Sequence, residues 1–149
     1  MEPVDIGWAA GIIDGEGCIL LSRNKKRGCF TLRVHVVNTD PYMLIKLKKL
    51  FGGSIHESNA KTDLPHWKFK WVWVVVSKDA EIALETLIPF LVTKREQAEL
   101  AITFRLLKRR RGGRKHTFSK INSELLEKQE HIFHGLRALK EKYYGFPVA

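Results

Sequence analysis

The 149-residue chain reads as an α+β domain with one antiparallel four-stranded sheet, in the order helix, two strands, helix, two strands, then helices. Three observations predict this. A short helical stretch near the amino terminus, Trp8 to Gly17, runs straight into a strand-like run at 18–23. In residues 29–37, Phe30, Leu32, Val34 and Val36 alternate with Thr31, Arg33 and His35, the period of a strand with one buried face. Glycine and proline stand at the expected boundaries: Gly28, Pro41, the pair Gly52–Gly53, and Pro89.

In the first helix, Gly7, Gly11 and Gly15 are four apart and share one face. Glycine costs a helix interior roughly 1 kcal/mol relative to Ala, so three of them call for a reason, and close approach of a second helix is one. Ala10 and Asp14 are grouped with that face as contact residues, and Glu16, between Gly15 and Gly17, stands where the helix ends. A glycine-tolerant amphipathic helix ending in a turn is the plainer reading.

Strands at 18–23 and 29–37 make a hairpin with the basic tip Asn24-Lys25-Lys26-Arg27-Gly28. Thr39 or Asp40 caps the next helix, Pro41 takes its first position, and Leu44, Leu47, Leu50 and Phe51 form its apolar stripe. A second hairpin pairs Ile55–Ser58 with a long strand, Trp67–Ser77. There Trp67, Phe69, Trp71 and Trp73 face one way, and Lys68, Lys70, Val72 and Val74 the other. Such aromatics could stack bases, but a same-face stripe is more often core beneath helices. Helices follow at Asp79–Ile88, Lys94–Arg110 and Ser119–Tyr143, the last two separated by the basic segment Lys108–Lys115.

Twenty-six Lys and Arg oppose 16 Asp and Glu, a net charge of +10, which points to a polyanion, nucleic acid above all. The charge collects at Arg23–Arg27, at Lys68 and Lys70, and at Lys108–Lys115 rather than on one amphipathic helix, which disfavours a membrane surface. Cys18 and Cys29 show no zinc spacing and suit a reducing setting. With an acid at position 2 and no cleavable apolar run, the expectation is a soluble, intracellular protein of one domain spanning 1–149.

The stretch Ala9-Ala10-Gly11-Ile12-Ile13-Asp14-Gly15-Glu16-Gly17 resembles the LAGLIDADG motif, with Ala9, Ile12, Gly15 and Glu16 replacing the commoner Leu, Leu, Ala and Asp. The element order resembles the LAGLIDADG homing endonuclease core. Two further stretches are similar: Pro89–Ala98, like the family's segment with a catalytic-centre lysine, and Asn38-Thr39-Asp40, after the second strand. The resemblance implies a saddle-shaped sheet over the major groove of DNA, and motif helices of two copies packed together. One motif copy implies a homodimer on a pseudo-palindromic double-stranded target, with the chain intron-encoded, in a microbial cytoplasm or an organelle. It implies Glu16 as ligand of Mg²⁺ (or Mn²⁺), with the Gly15 carbonyl beside it. Lys94 would stabilise developing charge and Asn38 would help position the attacking water, whereas Asp14 is assigned to structure at the helix end. Glu for Asp at 16 shifts the carboxylate by about one methylene, and no basic residue follows Asn38 where some relatives carry one.

Base reading is expected from Ser22, Asn24, Lys26, Thr31, Arg33, His35, Lys68 and Lys70, with Arg33 the best candidate for a bidentate guanine contact. Phosphate contacts are expected from Arg23, Lys25, Arg27, Arg109, Arg110, Arg111, Arg114 and Lys115. The alternatives are an RNA maturase, with intron RNA as partner, or a non-cleaving DNA-binding regulator on the same scaffold. An interaction protein with incidental charge is a third.

Overall fold

Four strands form one antiparallel sheet in the order β1-β2-β4-β3: β1 Gly17–Asn24, β2 Cys29–Asn38, β3 Ser54–Glu57 and β4 Trp71–Val76. The computed structural model describes residues 1–24, 29–58, 69–109 and 123–141, with the backbone alone at Lys108 and Arg109. Each hairpin is preceded by a helix, α1 Pro3–Glu16 or α2 Pro41–Phe51, and contributes one central and one edge strand. Helices α3 Ser77–Leu87, α4 Arg95–Arg109 and α5 Ser123–Glu141 follow, with a single 3-10 turn at Ile88–Phe90.

One face of the sheet is the core. Ile19, Leu21, Phe30, Leu32, Val34, Val36, Trp73 and Val75 are buried there against Ala9, Ala10 and Ile13 of α1 and Leu44 and Leu47 of α2. Phe104 of α4 and Ile132 and Leu136 of α5 complete the same cluster. The fully buried Trp73 satisfies its indole N–H by donating to the Gly52 carbonyl at 2.9 Å, just past α2. Asp40 caps α2 by accepting from the Tyr42 N–H at 2.9 Å.

At three boundaries the departure from the sequence reading has a clear physical reason. Helix α1 begins at Pro3, because proline suits the first helical position, where no N–H is needed. Strand β4 begins at Trp71, not Trp67: Phe69 is exposed and stacks edge-on to Trp71 at 5.3 Å, so the aromatic stripe is core only from Trp71 onward. Trp67 and Lys68 lie outside the described residues. Helix α3 begins at Ser77, whose φ of +53° turns the chain abruptly out of β4 and ends the strand before the expected Ser77.

Arg23, expected on phosphates, is half exposed, pairs with Glu130 of α5 at 2.9 Å and lies over the Phe30 ring. With the Phe30–Phe133 contact at 5.2 Å, this fastens α5 beneath the first hairpin. No helix among the described residues is long and apolar enough to cross a membrane.

Candidate active site and nucleic-acid interface

The carboxyl end of α1 is where distant parts of the chain converge. Gly17 permits it: its N–H caps the helix on the Ile13 carbonyl, and a Cβ there would lie 2.6 Å from that oxygen. Only glycine lets the helix pass so directly into β1, leaving Glu16 exposed at the joint.

Residues 92–94 arrive beside it. The Asp14 carboxylate accepts from the Val92 N–H at 2.7 Å, the Lys94 N–H at 2.9 Å and the Thr93 hydroxyl at 3.0 Å. Lys94 also turns its ammonium back onto the Asp14 carbonyl, at the negative end of the α1 dipole. Burial pushes the Asp14 carboxyl up, but the N–H groups of Val92 and Lys94 and the Thr93 hydroxyl together hold it below the usual carboxylate range. Burial lowers Lys94, opposed by the charges of Asp14 and Glu16. Lys94 is thus docked on Asp14, two residues before Glu16, despite their separation in sequence.

Lys140 belongs to the same corner and escaped the sequence reading. From the last turn of α5 its ammonium lies 3.2 Å from the Cys18 sulfur and acts on both Lys94 and His35. Nothing local to residue 140 announces this, since the packing of α5 places it.

Asn38 closes β2 at the sheet end where α1 enters, two residues past Val36, the partner of Gly17. Its side-chain oxygen accepts from the Asp40 N–H at 2.9 Å, so what it could offer a water is its amide N–H.

The face opposite the core carries Cys18, Leu20 and Ser22 of β1 beside His35, Arg33 and Thr31 of β2. Val72, Val74 and Val76 of β4 continue it, and Ser54 and His56 of β3 join through their pairing with Val74 and Val72. His56 and Ser54 were missed because β3 is too short for its alternation to be read. Arg33 Nε and His35 Nδ1 are buried with no hydrogen-bond partner among the described residues. Burial, with Arg33 and Lys140 nearby, holds His35 below its ordinary value, so the imidazole is neutral near pH 7. Asn24 and Lys70 stand at the strand ends, both exposed. Lys25, Lys26, Arg27, Lys68, Arg110, Arg111, Arg114, Lys115 and the Arg109 side chain lie outside the described residues.

On α1, Gly7, Gly11 and Gly15 are exposed, and a Cβ at any of them would meet nothing within 4 Å. Two residues grouped with that face lie elsewhere. Ala10 is fully buried in the chain's own core, because one step along a helix rotates a residue by about 100°. Asp14 directs its carboxylate to residues 92–94.

No protein-family model and no curated protein matches this chain. Solved structures do. The archaeal intron-encoded homing endonuclease I-Vdi141I, in complex with DNA, matches over 100% of this chain and 91% of its own, at 19% identity and a TM-score of 0.72. The homing endonuclease I-CvuI, bound to its target in the presence of calcium, matches over 91% and 82% at 19% identity, TM-score 0.71. The LAGLIDADG homing endonuclease I-GzeII, with its DNA target, matches over 97% of this chain but 50% of its own, at 20% identity and a TM-score of 0.68. The chain has the fold of the LAGLIDADG homing endonucleases.

Proposed function

We propose that this protein is a site-specific, divalent-metal-dependent DNA endonuclease that acts as a homodimer. The observation that carries the reading is that Lys94, bonded through both its N–H and its ammonium to Asp14, is brought to the end of α1 that exposes Glu16, where the open sheet face begins. The fold, shared with endonucleases bound to DNA, supports it.

The donors at the α1 terminus suit Mg²⁺. Glu16 supplies a carboxylate and Gly15 a main-chain carbonyl, both hard oxygen ligands, and no group of three His, Cys, Asp or Glu among the described residues offers a softer site. Glu16 and the Gly15 carbonyl would hold the metal, which would supply Lewis acidity and an activated water. Lys94 places a positive charge where the phosphodiester gains negative charge. The Asn38 amide N–H orients the water, and Lys140 adds a second cation for a neighbouring phosphate.

Arg33 and His35 stand partly exposed on the sheet face, where base edges in a major groove would meet them, although Arg33 Nε and His35 Nδ1 are themselves buried. Two scissions of a duplex require two such sites. The bare glycine face of α1 gives a twofold contact, and the alignment with half of I-GzeII fits two copies of this chain doing the work of one longer chain.

Incubation with a randomised duplex library in Mg²⁺ tests the proposal. Recovery of cut, approximately palindromic sites, abolished by EDTA, is the expected result. Binding of DNA or intron RNA without any strand scission would overturn it in favour of a non-cleaving regulator or a maturase.

A further inference from the structure

We infer that Asp14 is a positioning residue for cleavage: by binding residues 92–94 it fixes Lys94 beside Glu16, and it acts on the reaction only through Lys94. The inference rests on the endonuclease reading above.

Three consecutive residues donate to one carboxylate. Val92 N–H occupies Oδ2, while the Lys94 N–H and Thr93 hydroxyl share Oδ1. Three of the roughly four acceptor positions of the Asp14 carboxylate are thus engaged in holding residues 92–94. Its main-chain oxygen meanwhile receives the Lys94 ammonium, so one residue holds Lys94 at both its backbone and its side-chain end.

The turn is gripped from its other side as well. Arg95 donates from Nε to the Leu91 carbonyl at 3.2 Å and from Nη2 to the Pro89 carbonyl at 3.0 Å, and α4 begins at that residue. The 89–94 segment is thus shaped by α4 and docked by Asp14. Loss of the Asp14 contacts leaves the turn formed but free to shift against α1, and a displacement of about 1 Å at a reacting group can cost about 10²-fold in rate.

A double-mutant cycle on the full-length protein distinguishes this from a general structural strut. Single-turnover cleavage is measured on the selected duplex in Mg²⁺, and DNA affinity in Ca²⁺, for wild type, Asp14→Asn, Lys94→Gln and the double variant. The expected result is a fall of about 10²-fold for Asp14→Asn with DNA affinity unchanged, and a double variant no slower than Lys94→Gln alone. Hydrogen exchange should rise at 91–95 in Asp14→Asn while β2 and α2 keep their protection.

Multiplicative rate losses, or unchanged exchange at 91–95, would overturn the inference while leaving the endonuclease reading intact. A wild type that cuts nothing would sink both. Should Asp14→Asn fail to fold, Thr93→Val removes a single bond to the same carboxylate. Its smaller loss must likewise vanish in the Lys94→Gln background.

Discussion

Asp14 gives the site a pH signature separate from catalysis. Its folded-state pKa lies below the ordinary 3.8, so its hydrogen bonds stabilise the fold fully above that value. The contribution disappears as pH falls through the lower folded-state value. Asp14→Asn cannot titrate. Urea midpoints taken from about pH 6 to pH 2 should therefore show wild type above the variant at the upper end, with the gap closing at the lower end. A constant gap would mean that the carboxylate charge is not what residues 92–94 hold. Lys94 and Glu16 could be picked out in the sequence because each sits in a short recognisable stretch. The bonds joining Asp14 to residues 92–94 could not, because they span 78 to 80 positions and periodicity reports only local neighbours.

The same boundary between local and distant information runs through the elements. Strand β2 was legible residue by residue, since burial on one face imprints a strict alternation. The start of β4 was not. Aromatic and basic residues continue to alternate through 67–70 in the sequence, but Phe69 lies before the strand and is exposed. The left-handed backbone at Ser77 also left no sequence signal, because serine is not a residue that marks that conformation. Between α3 and α4, the fully buried Glu81 bonds to Arg105 at 3.0 Å, an ion pair that helical periodicity alone does not reveal. Glu81→Ala leaves Arg105 without that charge in a largely buried position and should lower unfolding stability by about 3 kcal/mol, measured by urea denaturation. A loss below about 1 kcal/mol would show that water replaces the carboxylate readily.

At the scale of the whole molecule, the glycine face of α1, as the proposed dimer contact, would separate folding from assembly. A Cβ at Gly11 meets nothing within 4 Å among the described residues, so Gly11→Val should still fold, with native far-UV circular dichroism. Across a twofold contact the same side chains collide. Sedimentation velocity should then report wild type as a dimer and Gly11→Val as a folded monomer that no longer cuts both strands; a variant that remains dimeric would place the interface elsewhere. Two chains carry a charge of +20, and neutralising about ten phosphates would give a slope of log K against log salt near −9.

The claim beneath all of this is that Glu16, one from each chain, is the carboxylate on which cleavage depends. Its most direct test is the single-turnover cleavage rate of Glu16→Gln on the selected duplex, with binding confirmed in the same samples. The account predicts intact affinity and a rate at least about 10³-fold lower. Cleavage by Glu16→Gln at the wild-type rate would contradict it.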